Sequence, residues 1–287
     1  MSPSPPPAKD APLAPGLYIV STPIGNLRDL TFRALDVLAA ADLILAEDTR
    51  VAGKLLSAYG LSKRLERYDD YTGDRSRPRI LEQLTRGARI ALISDAGTPL
   101  VSDPGYKLVR EAAAAGAAVM PIPGASAVLA ALAVAGLPTD RFLFAGFPPP
   151  KSAARRTVFE ELAGIRATLV FYETGPRVAE SLADMAEVFG RRDAAVAREL
   201  TKLYETCIRG ALPDLAADPR LQAPKGEIVV LVGAGRDAIA SAEDADRALA
   251  DALQRLSPAQ AAGEVAKALG LPRRELYRRA LDLKGRE

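Results

Sequence analysis

Apolar runs of strand length alternate with helix-period segments along most of this chain, and the runs end in turns built from Gly, Pro or Asp. Residues 17–21 lead to a helix over 31–40. Residues 42–46 lead to a helix over 50–59 that Gly60 closes. A weak run at 65–68 precedes a helix over 78–86, the run 89–94 a helix over 106–115, and the short strand 119–120 a helix over 126–134. This order confines the chain to the α/β class, because a strand joined through a helix to the next parallel strand covers both faces of a sheet. Around Asp140 the pattern restarts, with strands at 142–145, 167–173 and 194–198 and helices at 153–162 and 177–189. Residues 205–209 and 227–232 read as later strands, antiparallel after the turn Pro224-Lys225-Gly226. The spacing therefore predicts two α/β domains, 16–138 and 139–235. Past Gly235 the strand pattern stops. A helix over 242–256, a second opened by Ser257-Pro258 and stopped by Gly270, and a third from Pro272 to 283 make a helix-turn-helix-like extension over 242–287.

Composition narrows the chemistry. The chain has no histidine and one cysteine, Cys207. Histidine-based nucleophile systems, histidine or cysteine metal sites and an intrachain disulfide are excluded, so no metal is expected. Proton transfer must use Asp, Glu, Lys, Tyr, Arg, backbone or water. Six prolines and no apolar core in the first fifteen residues read as a disordered tail over 1–15, not a signal peptide. The apolar stretch 112–137 is interrupted by Gly116, Pro121, Pro123, Gly124 and Gly136, so a soluble, cytoplasmic protein is expected. The net charge is +2, but residues 271–287 carry six basic and three acidic side chains. A basic end suits a polyanionic partner and equally suits a solvated helix face.

Four breaks follow strands of the first domain: Thr22-Pro23-Ile24-Gly25-Asn26, Glu47-Asp48-Thr49-Arg50, the segment 94–105, and Pro121-Ile122-Pro123-Gly124-Ala125-Ser126. In an open parallel sheet such ends share one edge, where ligands bind. Each alone is an ordinary turn; together, with Asp95 and Asp103 in one of them, they read as a ligand site. Neither G-x-G-x-x-G nor G-x-x-x-x-G-K-[ST] is present. An acidic, glycine-lined edge suits a cationic or hydroxyl-bearing ligand better than a triphosphate.

The ordered set "LYIVSTPIGNL", "AEDTR", "SDAGTPLVSDPG", "PGASAV", "GLPTDRFLFAGFPPPK", "VFYE", "ARELTKLYE" and "KGEIVVLV" resembles the ribosomal RNA small-subunit methyltransferase I family. That family is the rRNA cytidine 2′-O-methyltransferase branch of the tetrapyrrole methylase superfamily. The resemblance implies S-adenosylmethionine bound in a cleft between two α/β domains, the small ribosomal subunit as partner, its 16S rRNA as substrate, and a homodimer. It implies that Asp95, Ala96, Gly97, Thr98 and Pro99 lie along the methionine and sulfonium end of the donor. Pro23 and Gly25 would shape the floor, and Gly124, Ala125 and Ser126 the adenosine side. Tyr172 and the segment Arg198-Glu199-Leu200 would close the cleft. Asp103 either belongs to the site or caps the helix beginning near Tyr106.

The sequence departs from related ones where they carry histidine, at Asp69-Asp70-Tyr71-Thr72 and before Arg177, where Pro176 stands. A ribose hydroxyl is a weak nucleophile that needs a base or close alignment with the methyl group. Glu47, Asp48, Glu199 and Lys202 are the candidate catalytic residues, with Asp69 and Asp70 beside them; each is equally suited to an ion pair or a cap. Lys151, Arg155 and Arg156, after the Pro148-Pro149-Pro150 turn, and Arg273, Arg274, Arg278 and Arg279 in the extension are candidate RNA contacts. Two other readings fit less of the sequence: a methyltransferase acting on a tetrapyrrole, and a nucleic-acid-binding regulator with a ligand-sensing body.

Overall fold

A computed structural model describes residues 12–69, 73–235, 242–269 and 272–284. The first sheet is formed by β1 (Gly16–Val20), β2 (Leu43–Ala46), β3 (Leu65–Arg67), β4 (Arg89–Ile93) and β5 (Val119–Ile122), all parallel, in the order β3-β2-β4-β1-β5. Strand alternation sorts its side chains onto two faces. Tyr18, Val20, Ile44, Ala46, Ala91 and Ile93 face the helices α1 (Phe32–Ala40) and α2 (Thr49–Ala58). Leu17, Leu43, Leu45, Ile90 and Leu92 face α3 (Gly73–Thr85) and α4 (Tyr106–Ala114). The chain leaves β1 toward β2 and leaves β4 toward β5, so connections from these adjacent strands depart in opposite directions. A crevice opens at their carboxyl ends, where such sheets bind ligands.

The second sheet combines β6 (Phe142–Phe144), β7 (Thr168–Thr174), β8 (Asp193–Arg198), β9 (Thr206–Ala211) and β10 (Glu227–Val232) in the order β6-β7-β10-β8-β9. Only the β6–β7 pair is parallel; the expected antiparallel late strands are β9 and β10. One face packs on α6 (Ser152–Leu162), α7 (Val178–Phe189) and α8 (Leu212–Ala216). The other receives α5 (Ala127–Ala135), whose Val128, Ala131, Leu132 and Ala135 meet Val170, Ala195, Ala197, Val229 and Leu231. Ile24, from the loop after β1, joins this same cluster, which ties the two sheets together.

Several elements differ from the sequence expectation. Helix α3 begins at Gly73, before Pro78, so this proline sits inside the helix rather than opening it. Residues 212–216 form α8, which has too few residues for its period to be read. Within the Pro-rich start expected to be without structure, Leu13 reaches the first core, and the Tyr18 hydroxyl donates to the carbonyl of Ala14 at 2.6 Å. Residues 1–11 lie outside the described residues, as do Asp70, Tyr71, Thr72, Gly270 and 285–287.

The extension contains α9 (Ala242–Leu253), α10 (Pro258–Leu269) and α11 (Arg273–Lys284). They share a core of their own, in which Ala245, Leu249, Ala261, Val265, Leu276 and Ala280 are buried. At the start of α10, Gln260 accepts from both the backbone N–H and the hydroxyl of Ser257, half of a capping box. Among the described residues, no helix is long and apolar enough to cross a membrane.

Candidate functional site

The loops after β1 and β4 are joined by backbone. Thr22 and Gly97 exchange N–H···O=C bonds of 2.8 and 3.1 Å. The Thr22 hydroxyl donates to the Ser94 carbonyl at 3.2 Å, and Ser94 Oγ donates to the Gly97 carbonyl at 3.1 Å. Thr98 Oγ1 lies 2.9 Å from Ser21 Oγ and 3.3 Å from the Ala125 carbonyl, which brings in the loop after β5. Two glycines permit this closeness. Gly97 has φ +83°, and a β-carbon there would press on Ile24 Cγ2 at 3.3 Å; one at Gly124 would stand 2.9 Å from Ser21 Cβ.

Above this floor lies a cavity of about 270 Å³ between the two sheets. Asp95, Ala96, Gly97, Thr98 and Asp103 line it from the first half of the chain, and Ser126 from the start of α5. Tyr172, Glu173, Leu200 and Glu227 line it from the second, with Phe147 at the rim. Tyr172 is held by the rings of Phe144 (4.7 Å) and Phe147 (5.4 Å), and burial pushes its hydroxyl pKa up. Four carboxylates and no lysine or arginine line this cavity. Burial, then the nearby charges of Glu47 and Asp95, push Asp103 up to about 6. The residues present therefore fit a positively charged ligand such as a sulfonium donor, with Gly97 allowing its backbone to approach closely. Among the described residues, no cluster of three or more acidic or cysteine side chains is arranged to hold a metal ion.

An adjoining cavity, lined by Thr22, Pro23, Gly25, Asp95, Lys202 and Glu227, continues the crevice along the floor. Here Lys202 Nζ lies 2.8 Å from both Glu199 Oε1 and Glu227 Oε2. Glu199 also accepts the Glu227 N–H at 3.0 Å. The hydrogen bond from Lys202 is the largest influence holding the Glu199 carboxyl below its usual range. Burial disfavours the Lys202 ammonium, but its bonds to Glu199 and Glu227 outweigh that and raise its proton affinity. Glu199 and Thr201 both have positive φ (51° and 66°), a strained turn that this ion-pair cluster holds.

Among the other candidate residues, Glu47 is half-buried near Asp103 and does not line the cavity. Asp48 is the N-cap of α2 and accepts from the Arg50 N–H at 2.8 Å. The Arg50 side chain then keeps the Asp48 carboxyl far below the usual range, which corrects its reading as a base. Lys202 and Glu199, each held ionised by the other, are likewise poor proton acceptors. Pro99 and Gly124 stand in the loops behind the lining, and Ala125 contributes its carbonyl to Thr98. Arg198 does not close the cleft: its guanidinium donates to the carbonyls of Lys225 (3.0 Å) and Tyr204 (3.4 Å). Asp103 does not cap α4, whose N-cap is Gly105 with no side-chain bond.

The basic cluster after β6 also requires correction. Arg155 is 1% exposed and donates to Asp184 Oδ2 at 2.7 Å, so it cannot meet RNA. Arg156 pairs with Asp184 (2.8 Å) and Glu187, while Lys151 is exposed. In α11, Arg273, Arg274 and Arg278 are exposed, whereas Arg279 pairs with Asp246 at 2.9 Å. The sequence reading missed Ile24, Phe147, Glu173 and Glu227 as lining residues. All four sit within the quoted motifs, Ile24 in "LYIVSTPIGNL", Phe147 in "GLPTDRFLFAGFPPPK", Glu173 in "VFYE" and Glu227 in "KGEIVVLV", which was the available signal.

A family model described as Tetrapyrrole (Corrin/Porphyrin) Methylases matches residues 16–216, and one described as RsmI C-terminal HTH domain matches 239–284. The chain is 54% identical over 273 residues to a ribosomal RNA small subunit methyltransferase I of Erythrobacter litoralis, covering 95% of this chain and 97% of that one. It is 50% identical over 275 residues to the protein of the same name from Mesorhizobium japonicum, covering 95% and 94%. Among solved structures, the methyltransferase CobJ superposes with a TM-score of 0.55 at 22% identity, covering 76% of this chain and 94% of that one. A conserved hypothetical protein from Aeropyrum pernix K1 reaches 0.58 at 18% identity, covering 96% and 98%. At these identities the structures show a shared fold.

Proposed function

The chain belongs to the ribosomal RNA small subunit methyltransferase I family of tetrapyrrole methylases, and from that membership we propose that it methylates a cytidine ribose 2′-oxygen in 16S rRNA, using S-adenosylmethionine. The observation that carries this reading is the cavity at the carboxyl ends of β1 and β4, acidic, without lysine or arginine in its lining and closed by Tyr172 from the second sheet. When bound, the donor supplies an electrophilic methyl group on a sulfonium. Asp95 would face its cationic part, the Ala96-Gly97-Thr98 backbone its methionine end, and Ser126 its adenosine side. Pro23 and Gly25 would form the floor that continues toward Lys202. The neutral Tyr172 would shield the transferring methyl from water.

The substrate would be engaged outside this cavity. Lys151 after β6 and Arg273, Arg274 and Arg278 on α11 are exposed cations suited to phosphate contacts. The match of residues 239–284 to a helix-turn-helix model favours RNA over a tetrapyrrole as acceptor, although CobJ shares the fold. A cytoplasmic homodimer completes the reading.

The test is methyl transfer from labelled S-adenosylmethionine to isolated small ribosomal subunits in the presence of a chelator, followed by nucleoside analysis. Label in 2′-O-methylcytidine is expected. Label on a base, or transfer that needs added metal, would contradict the reading.

A further inference from the structure

The loop after β6 carries Phe147, whose ring is 55% exposed at the mouth of the cavity that the reading above assigns to the donor. A single exposed phenylalanine is ordinary. The way this one is held is not. The Ala145 N–H donates to the Val170 carbonyl, and the Gly146 carbonyl accepts from the Tyr172 N–H, both at 2.9 Å. Gly146 then turns at φ +69°, and Phe147 stands beside Tyr172 with ring centroids 5.4 Å apart. Pro148, Pro149 and Pro150 follow and fix three successive φ angles. Arg177 donates to the Pro148 carbonyl at 2.6 Å and Arg155 to the Pro150 carbonyl at 3.2 Å. Arg155 is itself fixed in the core by Asp184. Two guanidinium groups thus brace a stiff loop, and the ring it presents leans on Tyr172 on one side and is open to water on the other.

One residue past the prolines stands Lys151, exposed and without an ion pair among the described residues. It is the N-cap residue of α6, makes no side-chain cap bond, and sets a positive charge against the positive end of the helix dipole. Helix stability therefore does not account for a cation there. The neighbouring cavity is lined by Asp95, Asp103, Glu173 and Glu227, which repel phosphate groups. A nucleic-acid strand can cross its mouth only with the phosphates turned away from these carboxylates and a base and sugar turned toward them.

We propose that Phe147 is the stacking platform for a nucleobase of the acceptor strand and that Lys151 neutralises a phosphate of the same strand. Together they position the acceptor ribose over the methyl group. This role rests on the reading of rRNA as acceptor given above. Phe147 is a positioning residue and takes no part in bond making. Proteins that read RNA take unpaired bases and stack them on aromatic side chains. Stacking tolerates any base, so the platform demands an unpaired nucleotide at the cavity mouth rather than a particular one.

The experiment is steady-state methylation of small ribosomal subunits by the full chain with labelled S-adenosylmethionine, measured against subunit concentration, together with donor binding by calorimetry. Phe147→Leu keeps an apolar wall toward the donor but has no ring face. It should lower kcat/KM for the subunit by about 5- to 150-fold, the range of one base–aromatic stack, and lower donor affinity by far less. Phe147→Trp, which offers a larger face, should exceed the leucine variant at least ~5-fold in kcat/KM. Lys151→Gln should raise KM for the subunit and lessen the slope of log KM against log salt by about 0.7. Lys151 is exposed, so this arm does not depend on the folding of the ring variants. A leucine variant equal to wild type in kcat/KM would overturn the proposal. So would equal leucine and tryptophan variants, which would mean that bulk alone matters at this position. A loss of donor affinity as large as the loss of kcat/KM would make Phe147 a wall of the donor site instead. An unchanged salt slope in Lys151→Gln would overturn the phosphate contact. Absence of label in RNA from the wild-type chain would bring down the underlying reading, whereas labelled RNA with an unimpaired leucine variant would bring down this proposal alone.

Discussion

The methylene chain of Lys202 lies across the α-carbon of Gly25, so that a β-carbon there would stand 2.5 Å from Lys202 Cγ and 2.7 Å from its Cε. The residues come from opposite halves of the chain, and their contact sets how far the crevice can close. Gly25 also has φ +149°, a conformation that side chains rarely adopt. Gly25→Ala should therefore weaken donor binding about tenfold, roughly 1.4 kcal/mol. Adding Lys202→Ala should recover part of that loss by removing the steric conflict and leaving only the backbone strain. Calorimetry on both variants checks this; equal affinity in Gly25→Ala and wild type would show that the contact does not shape the site.

Asp95 touches both cavities of the crevice and accepts one backbone N–H, from Asp48. Asp95→Asn can keep that acceptor but loses the charge that the proposed reading sets against the sulfonium. Donor affinity should fall by about 1.5–3 kcal/mol, the scale of one charge-assisted contact, with the melting temperature nearly unchanged. A lower melting temperature at unchanged affinity would mark Asp95 as structural.

Arg155 and Asp184 form a buried pair between α6 and α7, with side chains 1% and 5% exposed. Removing one partner strands the other charge in the core, which costs about 3–5 kcal/mol. Arg155→Ala should thus lower stability strongly in denaturant titrations while leaving the salt dependence of RNA binding as in wild type. Burial opposes ionisation of Asp184, but hydrogen bonds from Arg156, Arg155 and Ser152 outweigh it and depress its pKa. Its contribution to stability is present above the unfolded value of about 3.9 and is lost as pH falls through the lower folded value. Asp184→Asn should flatten the acid limb of the stability curve.

The exposed arginines of α11 invite a salt test. Neutralising Arg273, Arg274 and Arg278 together should lessen the slope of log affinity against log salt by about 0.7 for each phosphate of single-stranded RNA that is no longer neutralised. Removing residues 242–287 should spare donor binding, because the cavity lining ends before the extension. An unchanged salt slope at unchanged mass in solution would instead assign these helices to protein contacts.

Strands were legible because they are short, apolar and punctuated. Residues 16–20 and 89–93 alternate between two buried faces, and parallel strands of this kind read as continuous apolar runs. The first-half loops of the site were legible for a related reason, since close backbone approach leaves Gly and Pro in the sequence. Arg155 was misread, because nothing local reveals Asp184 waiting on the next helix. Its spacing held a clue: it stands four residues before Phe159 and seven before Leu162, on the inward face of α6. The place of Asp103 was left open between the site and a helix cap. It depends on Leu100 and Ser102 adopting positive φ (74° and 65°), which no residue type there foretells.

Helix α5 belongs by chain order to the first half and by packing to the second. A chain severed at residue 138, where the sequence pattern divides, would send one fragment away with Val128, Leu132 and Ala135 turned to water, and strip the other of the cover over Val170, Val229 and Leu231. The seam of the molecule therefore runs before α5, through the short loop 123–126. Ser126, at the wall of the cavity, rides on the second sheet while its neighbour Ala125 is bonded to Thr98 of the first. A rotation of one sheet against the other would pivot near that peptide, which places the hinge in the wall of the cavity rather than at a distance from it.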